Sequence, residues 1–193
     1  MSTCPVLLPT VLVLASGRGE RFRASGGQVH KLQADLGGRS VLGRTLDAVR
    51  ASGLPWHLED AGHPGMGDSI AAAARATGGA HGWLVLPADL PLIAPHSLRA
   101  VAAALATGTA DAVLPWVHGQ RAHPVGFAQA LGADLQQLEG NEGARRILQR
   151  LDAMNRVASL QLADAGAVMD IDTLADLRRA ADMLAVRGAA LPG

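Results

Sequence analysis

The sequence predicts an α/β domain organised on a mainly parallel sheet. Three observations carry that expectation. Short apolar runs alternate with helical patterns along the chain, as βαβ units require. The first run, Val11-Leu12-Val13-Leu14, is continuous rather than alternating, which suits a strand covered on both faces. At 193 residues and 49% hydrophobic content, the chain has enough apolar material for one core, and a single domain over 1–193 is expected.

The elements follow in order. Thr10–Leu14 reads as the first strand. Ser40–Ala51 reads as a helix, with Ser40 as cap, Leu42, Leu46 and Val49 on one face, and Gly53 closing it. Trp56–Glu59 is a short strand. Asp68–Thr77 is Ala-rich and helical, stopped by Gly78-Gly79, with Gly67, Asp68 and Ser69 as its N-cap region. Gly82–Leu86 is a strand that ends at Pro87. Pro95–Ala106 is a helix with Pro in its first turn. Ala112–Trp116 and Val125–Phe127 are strands; Ala128–Leu138 and Glu142–Leu151 are helices. Val157–Leu162 and Val168–Ile171 are expected as strands. Thr173–Val186 closes the chain as a helix capped by Thr173, with Asp176 in its first turn.

Composition excludes several function classes. Seventeen basic and seventeen acidic residues give a formal net charge of +0, so no basic excess points to nucleic acid. No apolar stretch reaches membrane-spanning length, and the N-terminus lacks the features of a signal peptide. The sole cysteine, Cys4, precludes an internal disulfide and suits a reducing, cytoplasmic setting. The seven histidines show no zinc spacing. No Gly-x-Ser-x-Gly elbow is present, so acyl-hydrolase chemistry has no nucleophile.

Two loops carry the chemistry. Parallel sheets bind ligands at the carboxyl ends of their strands, which points to the segments after Leu14 and after Leu86. The first is Leu14-Ala15-Ser16-Gly17-Arg18-Gly19-Glu20-Arg21-Phe22, with Lys31 beyond it. Ser16, Gly17 and Gly19 let backbone N–H groups face an anion, and Arg18, Arg21 and Lys31 supply charge to neutralise a polyphosphate. It is neither a Walker loop nor the dinucleotide fingerprint. The second is Leu86-Pro87-Ala88-Asp89-Leu90-Pro91, where a carboxylate follows a buried strand between two prolines. On spacing alone Asp89 is a turn cap or a ligand for a hard cation, and the cap is the plainer reading. The late cluster Asp170-Ile171-Asp172-Thr173 is open in the same way. If Val168–Ile171 is a strand, Asp170 and Asp172 project to one side and either can serve a cation; as caps, Asp172 or Thr173 would start the last helix.

These segments, in this order, resemble the MobA-like nucleotidyltransferases, and in particular the molybdenum cofactor cytidylyltransferase branch. The likeness runs from Val11 to Leu177. It rests on Leu-Ala-Ser-Gly-x-Gly-x-Arg-Phe…Lys at 14–31, Gly-Met-x-x-Ser at 65–69, Pro-Ala-Asp-Leu-Pro at 87–91, Arg-x-His-Pro-Val-x-Phe at 121–127, Gly-Asn-x-Gly-Ala-Arg at 140–145 and Asp-Ile-Asp-Thr at 170–173. The resemblance implies a Rossmann-like three-layer α/β/α domain of nucleotidyltransferase type. It implies that Leu14, Ala15, Ser16, Gly17, Gly19 and Ser69 bind a nucleotide, with Arg18, Arg21 and Lys31 on its triphosphate. It places Mg²⁺ on Asp89 with Asp170 or Asp172, and a phosphate-bearing acceptor against Arg121, His123 and Arg145. The donor it favours is CTP, with GTP as the alternative, and the acceptor it suggests is molybdopterin; nucleic acid and membranes are not expected partners.

The chain departs from that pattern at several positions. Ser16 stands where members carry Ala or Gly, Ala88 replaces Gly, Asn141 replaces Asp and Leu174 replaces Pro. Members place a strand, a helix and another strand in the region that here spans only Leu54 to Pro64, so one βα unit is shortened away. That shortening motivates a second reading, a nucleotide-binding regulator or cofactor chaperone without turnover. A phosphate-ester hydrolase is a third, opposed by the lack of Asp-x-Asp after the first strand.

Overall fold

The computed structural model describes residues 7–189. Cys4 lies outside them. The first strand, β1 (Thr10–Leu14), is buried along its whole length. It runs parallel to β2 (Trp56–Glu59) on one side and to β3 (Gly82–Pro87) on the other. Beyond β3 the order is β6 (Val125–Ala128), then β4 (Ala112–Val117), with β7 (Val157–Gln161) on the far edge of β4. Only β6 and the two-residue β5 (Gln120–Arg121) oppose the rest, so the sheet is mainly parallel as expected.

Period-two alternation divides the buried residues between two layers. Val11, Val13, Leu84, Leu86 and Val113 face α2 (Val41–Ser52), α4 (Pro95–Ala106) and α7 (Leu174–Ala189). Leu12, Leu14, Trp83, Val85 and Leu114 face α3 (Met66–Ala76), α5 (Gly132–Gln136) and α6 (Arg145–Ala153). The result is an α/β/α sandwich with two apolar cores. Helix α2 is capped as its sequence foretells: Ser40 accepts from the Gly43 N–H, and Gly53 closes the helix at φ 72°. Among the described residues no helix is long and apolar enough to cross a membrane.

Four local expectations are corrected. Val168–Ile171 is not a strand. Ala165–Val168 forms a 3₁₀ turn, and the chain then crosses the sheet end, where the Ile171 N–H donates to the Asp89 carbonyl at 3.0 Å. Buried Asp164 imposes this path, since it accepts from Gly166 N–H, Ala94 N–H and the Ser97 hydroxyl at 3.0, 2.7 and 2.9 Å. The expected helix over Ala128–Leu138 divides into a 3₁₀ turn (Gln129–Leu131) and the short α5. Helix α6 starts at Arg145 rather than Glu142, because Gly140 (φ 70°) and Gly143 (φ 56°) hold the preceding chain in left-handed turns. Helix α3 starts at Met66 with Gly65 as its N-cap, which leaves Asp68 inside the first turn, accepting from the Gly140 N–H.

Two elements have no counterpart in the sequence reading: α1 (Glu20–Ala24) and a 3₁₀ turn over Lys31–Gln33. Both lie in a polar stretch too short for periodicity to register. The two-residue β5, which closes a hairpin with β4, is likewise not marked as a strand by the sequence. His118 (φ 48°) and Gly119 (φ 80°) make a two-residue loop of the type that matches strand twist.

Candidate active site

β1 delivers its loop to the sheet's carboxyl end between β2 and β3, where the chain reverses its direction of travel across the sheet. Open α/β sheets place ligands at such a point. Three contacts fix the loop. The Ala15 N–H donates to the Glu59 carbonyl, the Ala88 N–H donates to the Leu14 carbonyl, and the Ser16 and Ser69 hydroxyls are hydrogen-bonded. His30 braces the far side. Its Nδ1 accepts from the Leu32 N–H, which leaves Nε2 as the donor to the Gly17 carbonyl at 2.8 Å. Gly19 turns left-handed (φ 64°) beneath that ring, and a Cβ there would sit 3.2 Å from Nε2.

The charged centre joins three distant segments. Lys31 donates through Nζ to Asp89 Oδ2 at 2.6 Å and to Asp172 Oδ1 at 2.8 Å. Arg21 Nη1 holds the other Asp172 oxygen at 3.0 Å. Asp89 follows β3 in a stiff turn whose Ala88 carbonyl accepts from the buried Thr45 hydroxyl at 2.8 Å. Asp89 Oδ1 is buried and has no hydrogen-bond partner among the described residues. Burial pulls the Lys31 ammonium down, but the Asp89 charge and the bonds to both carboxylates outweigh it and hold its pKa above the ordinary value. The Lys31 bond holds Asp172 below the usual carboxylate range. Asp170 moves the other way: desolvation raises it, and the charges of Asp89, Asp172 and Asp176 add to that rise.

These groups face a cavity of about 590 Å³, within the usual range of small-molecule sites. Leu14, Ser16, Gly17, Arg18, Lys31, Ser69, Asp89, Arg121, His123, Asp170 and Asp172 all line it. Gly19 and Arg21 line an adjoining groove that shares Gly17, Arg18, Lys31 and Asp172 with it. Ala15 lies behind the loop, tied to β2. Arg145 is exposed at the start of α6 and is on neither wall. Arg121 lies over the Trp116 ring at 5.8 Å. His123 has a buried Nδ1 with no partner among the described residues, and burial pushes its imidazole pKa down against the pull of Asp89.

The structure adds residues that spacing did not mark. His63 lines the cavity beside Pro64, Gly65 and Met66. Its Nε2 lies 3.1 Å from Oε1 of buried Glu59, which also accepts from the Ala61 N–H at 3.2 Å. Burial alone would raise Glu59; the bonds from His63 and Ala61, with His57 close by, hold it below its ordinary value instead. His30 stands at an unspecified position of the 14–31 motif and His63 in a segment with no motif, so nothing in the sequence separated them from surface histidines. Asn141, which stands where the resembled family carries Asp, is also on the wall.

The donor set fits a hard divalent cation in part. Oxygen ligands predominate, and Asp89 offers a buried, unpartnered oxygen. Among the described residues, however, no three His, Cys, Asp or Glu side chains gather as a metal cluster. A cation here needs ligands from a substrate as well.

Residues 47–156 match the family model described as "MobA-like NTP transferase domain". No curated protein matches the chain. Among solved structures, Rv0371c of Mycobacterium tuberculosis is 22% identical with a TM-score of 0.73, over 90% of this chain and 96% of that one. The same protein is also known as a complex with manganese. A nucleotidyl transferase from Methanothermobacter is 20% identical with a TM-score of 0.74, over 91% and 97%. Molybdopterin-guanine dinucleotide biosynthesis protein A of Archaeoglobus fulgidus is 19% identical with a TM-score of 0.62, over 91% and 98%. At these identities the likeness is one of fold.

Proposed function

The chain belongs to the MobA-like NTP transferase family, and on that footing we propose that it is a Mg²⁺-dependent nucleotidyltransferase, acting as one domain over 1–193. It transfers CMP from CTP to a phosphate-bearing acceptor of the molybdopterin kind and releases pyrophosphate. One observation carries the reading: the cationic loop after β1 and the carboxylate after β3 meet across a single cavity, with Lys31 2.6 Å from Asp89. The Archaeoglobus neighbour, by its description, supports the acceptor class, and the manganese complex supports a divalent cation.

In this reading Ser16, Gly17 and Gly19 present the loop to the triphosphate, and Ser69, bonded to Ser16, sets the position of the nucleotide. Leu14 and Ala15 anchor that loop to its neighbouring strands. Arg18, Arg21 and Lys31 neutralise phosphate charge. Asp89, with Asp170 or Asp172, holds Mg²⁺, which when bound neutralises the triphosphate and orients its α-phosphorus. An acceptor phosphate oxygen forms the new bond to that phosphorus as the α–β anhydride bond breaks. The acceptor is already an anion, so no general base is needed. His123, kept neutral by its lowered pKa, offers a hydrogen bond rather than a proton, and Arg121 pairs with the acceptor phosphate. Arg145 reaches that phosphate only by extending from the start of α6. Positioning and charge neutralisation supply the rate.

The decisive assay measures pyrophosphate release with Mg²⁺, a panel of CTP, GTP, ATP and UTP, and molybdopterin. CTP is expected to give the fastest release, and Asp89→Asn to slow it on the order of 10²–10³-fold, the usual cost of removing one transition-state charge partner. Release with GTP alone would replace the base assignment. Nucleotide binding with no release under any pairing would favour a regulator or cofactor chaperone, the reading motivated by the shortened Leu54–Pro64 region.

A further inference from the structure

We propose that Lys31 is a placeholder cation. Its ammonium keeps Asp89 and Asp172 closed to a divalent metal until a polyphosphate draws it away, so that metal and nucleotide enter as one charge-balanced unit. The identity of the polyphosphate rests on the transferase reading; the competition between lysine and metal does not.

The geometry is specific. One ammonium lies 2.6 Å from Asp89 Oδ2 and 2.8 Å from Asp172 Oδ1, carboxylates contributed by the ends of two segments far apart in sequence. Arg21 takes Asp172 Oδ2 at 3.0 Å. Of the four oxygens in this pair, only Asp89 Oδ1 has no partner. A divalent ion arriving alone therefore finds one free oxygen in this pair, beside the Lys31 ammonium, with Asp170 as the remaining carboxylate on the wall. A triphosphate arriving alone meets the carboxylates of Asp89, Asp170 and Asp172 on the same wall. Either ligand alone is opposed, and each removes the obstacle to the other.

Lys31 is placed to make the exchange. Its backbone is held in the 3₁₀ turn capped by His30, while its four-carbon side chain borders both the cavity and the adjoining groove with Gly17 and Arg18. Swinging from the carboxylates to a phosphate over that loop needs rotamer changes only. The same side chain would thus guard the metal site first and grip the substrate second.

The test measures Mn²⁺ binding to the full chain by the electron paramagnetic resonance of the free ion, without nucleotide. Lys31→Met, and Lys31→Gln as a neutral variant that keeps hydrogen-bond donors, are expected to bind Mn²⁺ roughly 5- to 150-fold tighter than wild type, the usual span of site-to-site coupling. Lys31→Arg, still a cation, should bind it as weakly as wild type. In calorimetry with the non-transferable analogue α,β-methylene-CTP, the gain in its affinity on adding Mn²⁺ should shrink in Lys31→Met. Thermal melts identify any variant that fails to fold, and the other neutral variant then decides. Equal Mn²⁺ affinity in wild type and a folded neutral variant overturns the proposal, even if wild type proves to be a transferase. Failure of the transferase reading appears separately, as absence of pyrophosphate from wild type with every nucleotide.

Discussion

Asp170 carries a charge that the folded chain disfavours. Its folded pKa is raised, first by desolvation and then by neighbouring carboxylates, so the folded state binds its proton more tightly than the unfolded state. Stability therefore falls as pH rises from the unfolded value through the raised folded one. Asp170→Asn is expected to raise Tm at pH 7 while slowing transfer, a combination that a purely structural aspartate would not give. Asp172 has the opposite sign. Its folded pKa is lowered by the Lys31 bond, so its contribution is present above the ordinary carboxylate range and is lost as pH falls through the lowered value. The Lys31 side of the same bond is lost only as pH rises through that group's raised value, above the ordinary lysine range. Tm measured against pH should thus show an acid limb that flattens in Asp172→Asn. The sequence marked these carboxylates and Lys31 through ordered motifs. It was silent on His30 and His63, because a histidine that braces a loop has no spacing of its own.

At the scale of elements, the approach of α3 to residues 139–140 sets the wall that carries Ser69, the proposed nucleotide contact. The Gly67 N–H donates to the Gly140 carbonyl at 2.7 Å, and a Cβ on Gly67 would lie 2.6 Å from the Glu139 carbonyl oxygen. Gly67→Ala must push the helix start away and carry Ser69 with it. A cost of about 1–3 kcal/mol, typical of overpacking, is expected in chemical denaturation, with a raised KM for nucleotide. Ser40→Ala is the contrasting case. It removes the α2 cap for about 1 kcal/mol and leaves KM unchanged. Elements were legible where a start signal and a helical period agreed, as in α2 and α4, or where an apolar run was continuous, as in β1. They were misread where a buried side chain overrode local pattern. Val168–Ile171 is as apolar as a strand, but Asp164 pins its start to the N-terminus of α4.

At the scale of the whole molecule, strand order positions the chemistry. β1 lies between β2 and β3, so both carboxyl-end loops open into one crevice. A ligand that spans it ties together both helical layers. With CTP and Mg²⁺ at about 100 times Kd, stabilisation near 2.7 kcal/mol is expected, read by thermal melt as a Tm rise of roughly 5–10 °C. CTP without metal should give much less. The alternation of runs and helices made the parallel sheet legible. The insertion of β6 was not legible, because a strand's direction leaves no trace in its composition.

That reversed strand has an architectural consequence. Because β6 runs against β3, with Val125 opposite Val85, the chain enters β6 at the mouth where β3 leaves the sheet. Residues 118–124 are thereby carried to the rim without lengthening the loops that follow β1 and β3. On the transferase reading proposed above, donor and acceptor recognition would then be separable modules: one written in turns that follow forward strands, the other in a single turn before a backward one. Lineages could retune the acceptor by editing seven residues and leave the triphosphate cradle intact.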